Sequence, residues 1–324
     1  MPNEAAAPNT WPDIPYDAWR DTKETLHLWT QIVGKIRLTQ TPWLNHSWHV
    51  PLYVTSRGLT TSPIPHGQRS FEMQFDFLDH VLAIDVSDGI RQRIALQPRS
   101  VADFYRTVMQ TLANLDVPVK ITEYPCEIPD AKRLSTDETH TAYDPEYAQR
   151  FWRALVQIDR VFKAFRTGFL GKSSPVHFFW GSFDLAVTRF SGRTAPAFQS
   201  AVPGLHIDVM REAYSHEVSS AGFWPGGNGI DFPAFYSYAY PVPDRFKAQA
   251  VQPDGAFFSE PLGEFVLAYD TVRTAADPDA ALLAFLQSTF EAAATTANWD
   301  RSLECTRGRA GVPRKSSNEK PKKD

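Results

Sequence analysis

Apolar side chains recur every three or four residues near the start of the chain, which is the spacing of one face of a helix. This spacing predicts a helix over Asp21 to Leu38, with apolar positions at Leu26, Trp29, Val33 and Ile36. Strict alternation of apolar and polar residues from Phe71 to Phe77 then predicts a strand with one face in water. A hairpin turn at Ser87 to Gly89, a helix that begins at Ser100 and a strand over Val117 to Glu123 complete this part of the chain.

A similar order of elements returns after residue 144. Asp144 before Pro145 indicates a helix start, because Asp caps free backbone N–H groups and Pro is tolerated in the first turn. Apolar residues at helical spacing follow at Phe151, Leu155, Ile158, Phe162 and Phe165. Strand-like runs come next at Val176 to Phe190, Leu205 to Val218, Phe235 to Tyr240 and Glu264 to Ala268. A last helix begins at Asp277-Pro278.

The repeated order suggests an internal duplication. A shift of 126 residues aligns Gln31-Ile32 with Gln157-Ile158, Trp43-Leu44 with Phe169-Leu170 and Val50 with Val176, without a gap. We interpret this as a pseudo-two-fold duplication, with chance similarity between amphipathic elements as the alternative. Because the strands run together and do not alternate with helices, the predicted fold class is α+β, with two similar helix-strands-helix halves and mostly antiparallel sheets.

The predicted domain organisation follows from these patterns. Residues 16–124 form the first α+β half, 125–144 a polar, proline-containing linker, and 145–300 the second half, which carries the candidate site. Residues 301–324 hold eight Lys or Arg against three acidic residues and have little to bury. They are expected to form a basic, disordered tail.

Charge and composition narrow the classes of partner. With 43% hydrophobic and 22% charged residues the chain is an ordinary globular protein, and its net charge is −4. Since residues 301–324 carry +5, the other 300 residues carry −9, and so acidic a body is not expected to bind nucleic acid. No apolar run reaches the roughly 18 residues of a membrane helix. The absence of a secretory signal, together with only two cysteines, Cys126 and Cys305, predicts a soluble cytoplasmic protein. Its oligomeric state stays open.

No motif in the chain indicates a particular reaction or cofactor. His-Glu-x-x-His, Gly-x-Ser-x-Gly, Cys-x-x-Cys and a strand-linked Gly-x-Gly-x-x-Gly are all missing. The segment from Gly168 to Ser173 resembles half a phosphate loop, but Arg166 stands where the first glycine would be, and the segment follows a helix. The cofactor is therefore left unknown.

Titratable and aromatic residues concentrate in two blocks of the second half, residues 175–193 and 214–229. The first block is an aromatic strand with polar groups on both faces, and the second is a strand that runs into a glycine-rich loop able to move over a pocket. We expect a cleft here with polar groups His177, Asp184, Arg189, His216 and Glu217 and with walls Trp180 and Trp224.

Two classes of function fit such a cleft. In an enzyme, His177 or His216 would act as general base. Asp184 or Glu217 would orient it, and Arg189 would hold a small anionic substrate. The alternative is a non-catalytic protein in which the same cleft binds a small ligand or a partner. Each residue also has a structural interpretation, since buried histidines often bond to the backbone, tryptophans pack cores and arginines pair with carboxylates.

A metal is the third possibility. His177 and His216 could bind a divalent ion together with a carboxylate if their strands are neighbours that face one cavity. No local ligand spacing supports this, and two histidines from distant strands are a weak signal. We therefore assign no metal site and favour carboxylate-tuned histidines.

Five segments of the chain resemble a bacterial family of uncharacterised proteins, a domain of unknown function. They are His-Phe-Phe-Trp-Gly-Ser-Phe-Asp-Leu-Ala at 177–186, Thr-Arg-Phe-Ser-Gly-Arg at 188–193, Ser-His-Glu at 215–217, Gly-Phe-Trp-Pro-Gly at 222–226 and Trp-Asp-Arg at 299–301. The resemblance extends over about residues 11–304. It implies a bacterial origin and a chain that folds as one unit, and it assigns no role to any residue.

Overall fold

The fold combines helices with two antiparallel sheets, which confirms the α+β class. The computed structural model describes residues 10–227 and 229–304. In the first half the elements are α1 (Tyr16–Gln40), β1 (Tyr53–Val54), β2 (Gly58–Thr60), β3 (Ile64–His66), β4 (Arg69–Asp76), β5 (Val81–Val86), β6 (Arg91–Ala95) and α2 (Val101–Asn114). In the second half they are α3 (Pro145–Arg166), β7 (His177–Phe179), β8 (Asp184–Thr194), α4 (Ile207–Ala213), β9 (His216–Trp224), β10 (Ala234–Tyr240), β11 (Phe257–Ser259), β12 (Glu264–Ala268), α5 (Tyr269–Arg273) and α6 (Pro278–Thr296).

Helix α1 lies in the core of the molecule and is buried along most of its length. Trp29 is fully buried and stacks on Phe104 of α2, with 4.5 Å between ring centroids, and on Tyr143 at 5.5 Å. The predicted helix is confirmed, and it begins one turn earlier because Pro15 is followed directly by helical backbone.

The strands of each half form their own sheet. The first sheet has the order β1-β2-β4-β5-β6, and β3 also pairs with β4. The second has the order β7-β8-β9-β10-β12-β11, with every pair antiparallel. The alternating segment from Phe71 to Phe77 supplies most of β4, and its apolar residues are buried as the pattern predicts, while Asp76 is buried as well.

A single bridge of two hydrogen bonds joins the two sheets. The backbone N–H of Leu52 donates to the carbonyl of Phe178 at 2.8 Å, and the N–H of Phe178 donates to the carbonyl of Leu52 at 2.8 Å. Both side chains are fully buried. The two halves are therefore continuous through backbone hydrogen bonds as well as through the core.

Two predicted strands take a different form. The run from Leu205 to Val218 contains helix α4, because the His206 side chain accepts the N–H of Asp208 and starts a helical turn, and β9 begins only at His216. The run from Val117 to Glu123 forms no regular element and pairs with no strand among the described residues. Short apolar runs do not distinguish these alternatives, since the capping and pairing partners lie outside the run.

The segment over residues 125–144, predicted as a linker, packs against the body of the protein. Cys126, Leu134 and Tyr143 in it are buried. Of the predicted tail, Arg301–Leu303 forms a 3-10 turn, and Glu304 bridges to Phe169. Residues 305–324, which carry the rest of that prediction, lie outside the described residues.

Within the described ranges, no helix is long and apolar enough to cross a lipid bilayer. The cytoplasmic location stays a prediction.

The bridge between the sheets provides a test of the domain organisation. Leu52→Ala removes a fully buried side chain at the joint and should lower the free energy of unfolding by about 2–5 kcal/mol. If the halves form one cooperative unit, chemical denaturation followed by fluorescence and by circular dichroism should show one transition that shifts as a whole. Val242→Ala, at a side chain 61% exposed, is the control. Two transitions, with only one displaced, would show that the halves unfold independently.

Candidate functional site

A cavity of about 380 Å³ lies against one face of the second sheet. Its floor is formed by strands β7 to β10 and β12, and its roof by helix α4 and by the loop around His46 to Val50 from the first half. Cys126 and Glu127, from the segment between the halves, complete one side. Helices α3 and α6 pack near the same sheet, against β8, β9 and β10. The cavity is thus built from both halves of the chain.

The period of two along the strands decides which residues reach the cavity. On β8 these are Asp184, Ala186, Thr188 and Phe190. On β9 they are Val218, Ser220 and Trp224, and on β10 they are Tyr236 and Tyr238. Glu264, at the start of β12, borders the same space.

His177 and Asp184 face the same cavity, although a period of two carried through residues 177–188 places them on opposite faces. The reason is the four-residue turn over residues 180–183, which reverses the chain between β7 and β8. Its register pairs His177 with Ala186 and Phe179 with Asp184, so odd positions of β7 share a face with even positions of β8. Phe183 in this turn has a φ of 61°.

Asp184 is the most deeply buried acidic group of the cavity. Its Oδ1 accepts a hydrogen bond from Ser182 Oγ at 2.6 Å, and its Oδ2 accepts one from the Tyr236 hydroxyl. Burial raises the pKa of Asp184, and these two hydrogen bonds oppose that rise. The carboxyl is therefore held by two fixed donors, one from the turn between β7 and β8 and one from β10.

Gly222 makes the contact between Tyr236 and Asp184 possible. It lies on β9 between the two, paired with Ala186 on one side and with Tyr236 on the other. A Cβ at Gly222 would lie 2.2 Å from the Tyr236 hydroxyl oxygen. Only a residue without a side chain leaves room for the tyrosine to lie across the strand.

Two glutamates border the cavity beside Asp184. Burial and the neighbouring Asp184 raise the pKa of Glu127 to about 7 and that of Glu264 to about 8. Glu127 is close to the turn at Gly181, where a Cβ would lie 1.9 Å from Glu127 Oε1. Glu264 Oε2 has no hydrogen-bond partner among the residues that the structure describes. Both groups therefore exchange protons near neutral pH.

Hydroxyl groups extend this polar patch along the floor. The Tyr214 and Tyr238 hydroxyls are 2.8 Å apart, and Thr188 Oγ1 is 2.8 Å from Ser220 Oγ. Burial raises the pKa of Tyr214 to about 12, and burial likewise raises the pKa of Tyr236 and Tyr238 well above the ordinary range. All three tyrosines are protonated at neutral pH and can donate hydrogen bonds.

Aromatic rings form the walls. Trp224 lies against Tyr236, with 4.6 Å between ring centroids, and its Nε1 has no hydrogen-bond partner in the described part of the chain. Trp180 is buried, and its Nε1 donates to the Val50 carbonyl at 2.9 Å. Trp43 is 60% exposed and also lines the cavity, which places it at the opening.

His177 is a buried, neutral member of the lining. It is 1% exposed, and its Nδ1 has no hydrogen-bond partner within residues 10–227 and 229–304. Burial, helped by the nearby charges of Arg37 and Arg166, lowers the pKa of His177 to about 3. At neutral pH it therefore carries no charge and offers one ring nitrogen as an acceptor.

The structure brings together four of the residues that the sequence singles out, since His177, Asp184, Trp180 and Trp224 all line the cavity. Arg189, His216 and Glu217 are not among its lining residues.

Arg189 lies on the opposite face of the sheet, where its guanidinium lies 3.5 Å from the Phe165 ring centroid and 4.3 Å from that of Phe290. It donates a hydrogen bond to the Phe165 carbonyl. It is a neighbour of Thr188, so the alternation of the strand turns it towards the helices. There it has no route to a substrate in the cavity.

Glu217 and His216 lie at the beginning of β9. Glu217 forms an ion pair with Arg193 at 2.6 Å and accepts a hydrogen bond from Ser191. The His216 ring lies 6.2 Å from that of His46, which does line the cavity. Glu217 therefore has the structural role of an ion-pair partner.

Several residues of the site carry a signal that the sequence analysis did not use. Tyrosines occupy every second position, 236, 238 and 240, in Ala-Phe-Tyr-Ser-Tyr-Ala-Tyr, which predicts a face of hydroxyl groups on one strand. Glu264 begins an apolar strand. Glu127 has no such signal, because nothing in the local sequence shows that the segment folds over Gly181.

Within the described parts of the chain, no three His, Cys, Asp or Glu side chains are placed so that they could share a metal ion. The cavity therefore offers hydrogen-bonding and charged groups, and the residues described do not form a metal-binding set.

The raised pKa of Glu264 predicts how stability depends on pH. The folded protein holds this proton more tightly than the unfolded chain, whose ordinary pKa is 4.5. The free energy of unfolding therefore falls as the pH rises from about 4.5 to about 8. Glu264→Gln cannot ionise. It should match the wild type near pH 5 and be more stable near pH 8.5 by on the order of 1–2 kcal/mol, less than full linkage gives because the group borders solvent.

Urea unfolding at the two pH values measures this difference. Glu260→Gln, at an exposed glutamate on the same hairpin, is the control and should show no pH-dependent gain. An equal effect of Glu264→Gln at both pH values would contradict the assignment.

Comparison with known proteins identifies the family to which the chain belongs. No curated protein and no solved structure matches the chain. A family model described as a family of unknown function matches residues 11–305, which confirms the resemblance seen in the sequence. The chain belongs to this family, DUF5996.

Proposed function

We propose that the protein binds a small organic ligand in the cavity between its two halves. The observation that carries the proposal is a set of three lining atoms with no hydrogen-bond partner among the described residues: His177 Nδ1, Trp224 Nε1 and Glu264 Oε2. Buried polar atoms are nearly always hydrogen-bonded, because an unmade bond costs about 1–3 kcal/mol. A ligand that bonds to these atoms would recover that energy.

The size and lining of the cavity support a small molecule. Ligand pockets commonly measure roughly 300–1,000 Å³ and combine apolar walls with a few fixed polar groups. The cavity here is about 380 Å³. Ring faces of Trp180, Trp224 and Phe190 form apolar wall, and the Asp184 carboxyl is fixed by two donors. A protein partner would require a more open surface than this.

Histidine acid-base chemistry on an anionic substrate gains little support from the geometry. A general base works best with a pKa near the working pH, and the pKa of His177 is about 3. Arg189, the expected anion holder, contacts phenylalanine rings on the far side of the sheet.

A catalytic role for the carboxyl groups is the second candidate. Glu127 and Glu264 have pKa values of about 7 and about 8, beside Asp184, and carboxyl groups shifted to neutrality are the usual general acids and bases of enzymes. Mass spectrometry of metabolites incubated with the pure protein separates the candidates. Release of a changed molecule indicates catalysis, whereas recovery of the bound molecule unchanged indicates binding alone.

A variant that fills the cavity from its roof tests the binding proposal. Ala213 lies at the end of α4 and lines the cavity, so Ala213→Trp should occupy ligand space without disturbing the floor. Ligand-observed NMR with a library of small fragments should give hits on the wild type that weaken at least about tenfold in this variant.

The matched control is Arg211→Trp, because Arg211 is exposed on the same helix and is not a lining residue. It should leave the hits unchanged. A library with no hits, or hits that survive Ala213→Trp, would overturn the proposal.

We infer also that the two halves are related by duplication. The offset of 126 residues relates the last residues of α1 and α3, Gln40 and Arg166, and the first residues of β2 and β8, Gly58 and Asp184. It also relates Leu52 to Phe178, and these two pair with each other. Antiparallel pairing of a residue with its own counterpart is what a two-fold axis between the halves requires.

The sheets share a meander of five strands and differ in β3 and β11. An experimental structure in which α1 with β1 and β2 does not superpose on α3 with β7 and β8 at this offset would refute the duplication.

A further inference from the structure

Among the described residues, acidic side chains line the cavity without basic partners. Three carboxyl groups line it, those of Glu127, Asp184 and Glu264. Its lining, as far as the described residues form it, contains no lysine and no arginine. An anionic ligand would find no opposite charge there, and a cation would find three groups able to carry its counter-charge.

The cations near the cavity do not line it, and they contact groups other than its carboxyl groups. Arg37, whose charge helps to lower the pKa of His177, donates hydrogen bonds to the carbonyls of His49 and Pro51. Lys172 Nζ lies 2.6 Å from His46 Nε2 and over the rings of Trp48 and Phe190. Lys35 is buried, and its Nζ lies 5.7 Å from the ring centroid of Trp180 and near the thiol of Cys126. None of these three cations forms an ion pair with a carboxyl group of the cavity among the described contacts.

The unpartnered atoms favour a ligand that donates hydrogen bonds. Glu264 Oε2 accepts when the group is ionised, and the neutral His177 ring, which is 1% exposed, offers a nitrogen acceptor to a donor. Aromatic walls suit the same ligand, because the faces of Trp and Tyr rings attract cations within about 6 Å. The hydrogen-bond acceptors, the aromatic ring faces and the negative charge of the cavity thus all favour a cationic ligand that donates hydrogen bonds.

We propose that the ligand of this cavity is a small organic amine, protonated at neutral pH, on an apolar or aromatic body. The inference rests on the binding function proposed above and names its ligand class. The ammonium group is placed among Glu127, Asp184 and Glu264, and the body lies against the tryptophan and tyrosine rings.

Protonation of the two glutamates gives this binding a pH dependence. Ordinary amines stay protonated below a pKa of about 10, so only the protein changes charge between about pH 6 and about pH 8.5. At the lower pH Glu127 and Glu264 hold protons, and binding of a cation must displace them. Affinity for an amine should therefore rise with pH over this range.

Other titratable groups around the two glutamates do not account for this rise of amine affinity with pH. Those that face them are Asp184, His177, Cys126, Tyr214, Tyr236 and Tyr238. The pKa of His177 is about 3, and the pKa of Cys126 and of Tyr214 is raised to about 12, so these do not titrate between pH 6 and 8.5. Burial and the charge of Lys172 lower the pKa of His46, so this ring carries less positive charge over this range than a free imidazole does.

Calorimetric titration of the full chain with matched probes tests the proposal. Benzylamine, tyramine and tryptamine provide three bodies of increasing size, and each is compared with the neutral alcohol and the carboxylate built on the same body. At least one amine should bind about tenfold or more tighter than its two counterparts at pH 8.5, and lose about tenfold on going to pH 6.

Variants show whether the carboxyl groups cause that preference. Glu264→Gln keeps the shape of the side chain and should reduce both the preference for the amine and its pH slope. Glu260→Gln, at an exposed glutamate outside the lining, should change neither. Equal loss in both variants would show that the effect is not local to the cavity and would overturn the proposal.

The possible failures are distinguishable. If the alcohols or carboxylates bind as tightly as the amines, the ligand class is wrong and the binding function stands. If no probe of any charge binds, the amine proposal is overturned, and the fragment library with Ala213→Trp decides the binding function separately.

Discussion

Asp184 is a carboxyl group buried against an antiparallel sheet, and the rest of the site depends on how the protein accommodates it. Moving such a group out of water is costly unless hydrogen bonds replace the solvent. Ser182 and Tyr236 supply those bonds, and Gly222 leaves the space that the tyrosine crosses. Burial raises the pKa of the two glutamates beside Asp184, Glu127 and Glu264, and the charge of Asp184 raises both further. Asp184 on β8 therefore affects the protonation of both other carboxyl groups that line the cavity.

The second constraint is that both halves are needed to enclose this group. Helices α3 and α6 pack against the second sheet, and the opposite face carries the even-numbered residues of β8 to β10. That face is covered by the loop from the first half around His46 and by Glu127 from the connecting segment. Pockets at the junction of two packed units are common, since each unit supplies a wall that the other cannot. The bridge at Leu52 and Phe178 holds the two walls together.

Local patterns predicted much of the fold and about half of the expected site. The apolar stripes of α1 and α3, the alternation in β4 and the caps at Ser100 and Asp144 all correspond to observed elements, because each depends on neighbours only a few residues away. Alternation along β8 already separates Asp184 from Arg189, so the arginine could have been excluded from the sequence alone. The face of the sheet on which His177 lies could not be predicted in this way, because it depends on the length of the turn that precedes β8.

By itself the sequence determined the long helices α1, α2, α3 and α6, most strands, the α+β class and a concentration of aromatic and acidic residues in the second half. Only the tertiary structure decided which of those residues share a cavity. Glu127 and Asp184 lie 57 positions apart in the chain, and Asp184 and Glu264 lie 80 apart. Their mutual effect on protonation acts through space at short range in a poorly solvated environment, a property of the packed protein that no local pattern of residues records.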